Sequence, residues 1–154
     1  MKTDEGKDVL LVSPASRAFN HYRPPLALMY LSGYLKHCGE RSRIIDVVHK
    51  HQIRDRNFRR NIEIYHANIE DEILKRIASS NTDIIGITCY TPELAEVEKL
   101  AVRIKQIQPG AKIVVGGVHP TLYPQHFFYD GSPFDFAVVG EGEGTLLDLV
   151  HAVR

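Results

Sequence analysis

Cysteine is scarce: Cys38 and Cys89 are the only two in 154 residues. They stand far apart on different predicted elements, which leaves neither a disulfide framework nor a CxxC metal or redox motif. No stretch approaches the roughly 20 apolar residues of a membrane span, and the charged start MKTDEGKD lacks the apolar core of a signal peptide. A cytoplasmic location is therefore expected. An excess of either charge is also missing, since 19 lysines and arginines meet 19 acids. That balance gives no electrostatic reason for nucleic acid or an anionic membrane surface as partner.

Several signatures of common chemistry are absent as well. A dinucleotide site needs GxGxxG directly after the first strand, where glycine lets pyrophosphate approach a helix N-terminus; SPASRAFNHYRPP stands there instead. A phosphoacceptor site needs acids at the ends of the first and third strands, positions held by Ser13-Pro14 and Thr88. His21, His49, His51, His119 and His126 lack paired ligand spacing with Cys or carboxylate, so each reads as a surface or loop hydrogen-bonding residue and no metal site is assigned. No Ser/His/Asp or Cys/His constellation is recognisable, and no catalytic residue is assigned.

What is present is an alternation of short apolar runs and amphipathic stretches. Apolar residues at 44% and charged residues at 25% place the chain among ordinary globular domains, and residues 1–154 read as one domain. Strands are predicted at 8–13 (DVLLVS), 43–48, 83–88 (DIIGIT), 112–115 and 134–139. Helices are predicted after Pro24-Pro25 with a buried stripe Leu28, Leu31, Leu35 and Cys38; after a cap at Asn68; after a cap at Thr91 with Leu94, Val97, Leu100, Ile104 and Ile107 inward; and at 143–154. A short irregular helix is expected in 119–129, and the basic stretch 49–67 reads as a solvated connection.

Five strands alternating with helices imply an α/β, doubly wound, five-stranded parallel sheet of the flavodoxin-like or Rossmann-like kind, with strand order 2-1-3-4-5. Such a sheet binds its ligand where the chain reverses direction, over the carboxyl ends of the first and third strands. The lining is expected from 13–23, 88–91, 116–121 and 140–144. Gly116 and Gly117 remove side chains there, Thr88, Tyr90 and Thr91 offer hydroxyls, and Glu141 can accept a hydrogen bond from an amide or hydroxyl. In Gly140-Glu141-Gly142-Glu143-Gly144 the two carboxylates would repel a phosphate, so this loop reads as a turn into a helix whose first turn favours acids. The crevice suits a large, flat, amide-rich ligand better than a compact anion.

Four segments, PPLALMYLSGYLKHCG (24–39), DIIGITCYT (83–91), IVVGGVHPT (113–121) and FAVVGEGEGTLLDL (136–149), together resemble the cobalamin-binding domain that precedes the catalytic barrel of cobalamin-dependent radical S-adenosylmethionine enzymes. That family includes methyltransferases acting on unreactive carbons and the anaerobic magnesium-protoporphyrin monomethyl ester cyclase. The resemblance implies a cobalamin-binding fold, with Thr88 near the nucleotide tail of cobalamin, Gly116-Gly117 beneath corrin and tail, and 13–23 with His119-Pro120 at the corrin rim. It adds Thr88, Tyr90, Thr91, Gly116, Gly117, His119, Pro120, Gly140 and Glu141 together as cofactor-side candidates. The Asp-x-His-x-x-Gly motif whose histidine binds cobalt in cobalamin mutases and methionine synthase does not occur.

The family's CxxxCxxC iron-sulfur motif does not occur either, so S-adenosylmethionine and the cluster would belong to a radical domain outside these residues. The chain is then expected to be an excised or freestanding module holding a corrinoid for that partner. The alternative is a cofactor-free interaction domain that keeps the fold and docks onto a catalytic domain, its crevice closed by Tyr90 and Tyr123. Gly117→Val is expected to block the cofactor while sparing the fold.

Overall fold

The computed structural model describes residues 6–16, 24–47 and 62–154. Residues 17–23, with His21 and Tyr22, and 48–61, the bulk of the basic stretch, lie outside the described residues.

The strands are β1 (Asp8–Val12), β2 (Ser42–Ile45), β3 (Thr82–Thr88), β4 (Lys112–Gly116) and β5 (Phe136–Ala137). They form one sheet in the order β2-β1-β3-β4-β5, with every pairing parallel. The helices among the described residues are α1 (Leu26–His37), α2 (Ile62–Ala78), α3 (Leu94–Ile107), α4 (Val118–Leu122) and α5 (Glu143–Val153).

All five residues of β1 are buried, and the period of two sends them to opposite layers. Leu10 and Val12, with Ile85, Ile113 and Val115, pack on the layer of α2 and α3 through Ile73, Ile77, Val97 and Ile104. Val9 and Leu11, with Ile84 and Val114, pack on the layer of α1 and α5 through Leu28, Leu35, Leu146 and Val150. A sheet covered on both faces explains why these strands are continuously apolar rather than alternating.

Several boundaries differ from the sequence reading for identifiable reasons. In α1 the inward face is Leu28, Ser32 and Leu35, with Ser32 Oγ 2.9 Å from Ser42 Oγ of β2. Cys38 is exposed, because the helix ends there and Gly39 takes φ +89°. Helix α2 begins well before Asn68, which is exposed inside it rather than capping it. Ile107 is 42% exposed and falls outside the stripe of α3. A 3-10 turn at Thr91–Glu93 precedes α3, and the Tyr90 amide donates to the Glu93 carboxylate at 3.1 Å; Thr91 is not the cap.

Strand β5 is two residues long because a side chain replaces part of its ladder. The Asp135 carboxylate accepts from the Ile113 amide at 2.8 Å and from Lys105 at 2.7 Å, while the Asp135 amide donates to the Ile113 carbonyl at 2.9 Å. Burial alone would raise the Asp135 pKa. The bonds from Lys105, the Ile113 amide and Lys112 outweigh it and hold the carboxyl below its ordinary value. The strand that borders the crevice is thereby fixed at its base.

Candidate cofactor-binding cleft

The chain reverses across the sheet between β1 and β3, and an open cleft of about 460 Å³ lies over the carboxyl half of the sheet on the α1 and α5 side. Its floor follows from strand register. Leu11 pairs with Gly86, Gly86 with Val114, and Thr88 with Gly116. Gly86 therefore stands between two large apolar neighbours and lines the cleft floor, with Leu11 Cδ2 3.0 Å from where its Cβ would be. A lone glycine in a strand often marks such a close approach.

The walls are apolar: Leu28 and Leu31 from α1, Val138 after β5, and Leu146 from α5. The polar side chains of the lining are Thr88, Tyr30, Glu141 and Glu143. Leu26 and Tyr30, 69% and 70% exposed, extend the apolar rim into solvent. Gly140 adopts φ +78°, and its amide donates to Thr121 Oγ1 at 3.1 Å. That bond ties the Gly140–Glu141 turn to α4.

The two adjacent glycines differ. A Cβ on Gly116 would meet only Val138 Cβ, at 3.9 Å, so its vacancy opens onto the cleft it lines. Gly117 holds φ +114°, and a Cβ there would lie 3.0 Å from the Cys89 carbonyl oxygen and 3.2 Å from Thr88 Oγ1. The Cys89 amide donates to the Gly116 carbonyl at 2.8 Å, and the His119 amide donates to the Cys89 carbonyl at 3.1 Å. Gly117 is thus the pivot that lays the loop after β4 against the loop after β3.

Of the residues singled out in the sequence, Thr88, Gly116, Gly117, Gly140 and Glu141 line this cleft. Tyr90, Thr91, His119 and Pro120 do not line it. His119 is buried, contrary to its reading as a surface or loop residue. Its Nδ1 lies 3.0 Å from Thr91 Oγ1 and its Nε2 3.1 Å from His126 Nδ1, and its ring packs edge-on against Phe127. Tyr123 stacks on His126 at 5.3 Å and, like Tyr90, leaves the cleft open. The neighbouring Cys89 thiol is pushed up to about 12 by burial and then by Glu93, which leaves it protonated and unreactive. Among the described residues no cluster of three His, Cys, Asp or Glu could hold a metal ion, and no helix is long and apolar enough to cross a membrane.

Burial, and then the neighbouring His126, lower the pKa of His119. An unfolded histidine takes up its proton near pH 6.5, so below that pH the unfolded chain binds more protons than the folded one. Stability from this group is complete above about pH 6.5 and falls as the pH drops through the window toward the lowered folded value. Thermal unfolding between pH 8 and 5 is expected to show that loss, and His119→Gln, though less stable throughout, is expected to have the flatter profile. Parallel profiles would refute the assignment.

Glu143 falls within the expected lining 140–144; Leu28 and Leu31 are expected only as a helix stripe, and Leu11, Gly86 and Leu146 are not expected in the cleft. The glycine inside DIIGIT was the available signal.

A family model described as B12 binding domain matches residues 15–150. The anaerobic magnesium-protoporphyrin IX monomethyl ester cyclase of Rubrivivax gelatinosus is 31% identical over 131 residues, covering 84% of this chain and 21% of that protein. An uncharacterized methyltransferase of Pyrococcus horikoshii is 29% identical over 150 residues, covering 94% of this chain and 29% of that protein. The chain thus spans less than a third of either relative. Among solved structures, the radical S-adenosylmethionine methyltransferase TsrM of Kitasatospora setae, with cobalamin and a 4Fe-4S cluster bound, superposes with a TM-score of 0.72 at 20% identity, over 96% of this chain and 26% of that one. This likeness is one of fold.

Proposed function

The chain belongs to the B12 binding domain family, and from that premise we propose that its cleft holds cobalamin for a radical S-adenosylmethionine methyltransferase or cyclase domain. The observation that carries the reading is the open cleft at the switch point, with no side chain on its floor at Gly116. A Cβ at Gly116 would enter that space. Thr88, Gly116, Gly117, Gly140 and Glu141 hold the ligand. Behind them Thr91, His119 and Pro120 brace the Gly116–Gly117 turn, and Tyr90 stands exposed beside it. Glu141 and Glu143 accept hydrogen bonds from the carboxamide rim, and the apolar walls exclude water.

A bound corrinoid supplies a cobalt ion able to carry a methyl group or an electron, chemistry that no protein side chain provides. The residues here bind and orient it; S-adenosylmethionine and an iron-sulfur cluster belong to the partner domain. None of the described lining residues is a histidine, so those residues give cobalt no imidazole. The competing reading, a docking domain without ligand, requires a cleft closed by Tyr90 and Tyr123. The open cleft weighs against it.

Titration with hydroxocobalamin and methylcobalamin, followed by ultrafiltration and visible spectra, tests the proposal. Stoichiometric retention with a spectrum lacking the coordinated lower base is expected. Failure to retain either compound at high micromolar concentration would overturn it.

A further inference from the structure

The cleft is electrostatically one-sided. Of the described residues that line it, Glu141 and Glu143 are acids, Tyr30 and Thr88 offer hydroxyls, and none is lysine, arginine or histidine. Glu141 is exposed and Glu143 half-buried, and neither carboxylate has a hydrogen bond or an ion pair among the described residues. The start of α5 works in the other direction, with Glu143 in its first turn. A helix start amounts to about half a positive charge, which two carboxylates outweigh.

An ionised carboxylate only accepts hydrogen bonds. It takes one readily from the N–H of a carboxamide, whereas a second carboxylate brings a like charge and no hydrogen to give. The corrin ring is edged with acetamide and propionamide arms, and a corrinoid whose arms are incompletely amidated carries acids at the same places. Resting on the corrinoid reading above, we infer that Glu141 and Glu143 make the cleft selective for amidation state: it holds the fully amidated corrinoid and rejects one that turns a carboxylate toward this wall. A site built for an anionic corrinoid would place lysine or arginine there.

Equilibrium dialysis of the full chain at neutral pH tests the inference, with cobalamin compared against the three monocarboxylic acids made by hydrolysing one propionamide each. All four compounds carry the same nucleotide phosphate, so their ratios isolate the added charge. At least one acid is expected to bind at least about tenfold more weakly than cobalamin. Raising the salt from about 50 to about 500 mM is expected to narrow that ratio, because screening acts on charge and not on shape. In the double variant Glu141→Gln/Glu143→Gln the ratio is expected to fall below about threefold, since an uncharged amide side chain can donate to the acid. All three acids binding within about threefold of cobalamin, a ratio indifferent to salt, or one that survives the double variant would overturn the inference and leave the corrinoid site standing. Failure of cobalamin itself to bind would overturn both.

Discussion

Gly116→Leu is expected to reduce cobalamin retention at least about tenfold, equivalent to about 1.4 kcal/mol, with a melting temperature within a few degrees of the parent. The expectation rests on where the side chain must go. Gly116 ends β4 opposite Thr88, has no positive φ, and a Cβ there meets nothing nearer than Val138 Cβ at 3.9 Å. A leucine is therefore accepted by the backbone and projects into the space the ligand must fill. It obstructs the part of the cleft that Gly116 shares with Gly140 and Glu141. Dialysis measures the affinity and thermal unfolding without cofactor measures the fold. Unchanged retention would remove Gly116 from the site.

The sheet was legible because its physics is local. DVLLV, DIIGIT and KIVVG are apolar at consecutive positions, which a strand covered on both faces requires, and the intervening stripes fix the helices. Right-handed crossovers leave few topologies, and the observed order is the one favoured among them. What was not legible depended on register and on loops. DIIGIT shows its glycine plainly, but only the pairing of Gly86 with Leu11 and Val114 places it on the α1 side, where it lines the cleft floor. Ser32 and Cys38 are both compatible with a helical stripe. The turn at Gly39 exposes Cys38, and the approach of Ser42 buries Ser32.

His119 shows the same limit from another direction. In sequence it belongs to a Gly-Gly-x-His-Pro loop at the carboxyl end of a strand, a place where a ligand contact is a natural reading. The backbone folds that loop back over Cys89, and both imidazole nitrogens are engaged, one by Thr91 and one by His126. Its neighbours at Gly116 and Gly117 line the cleft while it does not. Nothing in the spacing distinguishes these outcomes; the φ of Gly117 decides them.

That φ leads to the largest expected effect on stability. The sequence alone predicts that Gly117→Val blocks the cofactor on an intact fold, and the structure reverses this expectation. Gly117 combines φ +114° with ψ −162°, a region essentially reserved for glycine, where another residue costs on the order of 1–3 kcal/mol. A Cβ would also stand 3.0 Å from the Cys89 carbonyl oxygen and 3.2 Å from its nitrogen, backbone atoms held by hydrogen bonds to His119 and Gly116. They cannot move aside without breaking the link between β3 and β4. Valine adds its branched methyls to that clash, so a total cost above about 3 kcal/mol is expected. At about 2–4 °C per kcal/mol for a domain of this size, the cofactor-free protein should melt at least about 6 °C lower or fail to fold. Gly117→Ala should show a smaller drop, since it keeps the backbone strain without the branching. A Gly117→Val protein that melts with the parent would refute the strain. If the strain is real, loss of cobalamin in that variant reports an unfolded chain, whereas the same loss in Gly116→Leu reports an obstructed site.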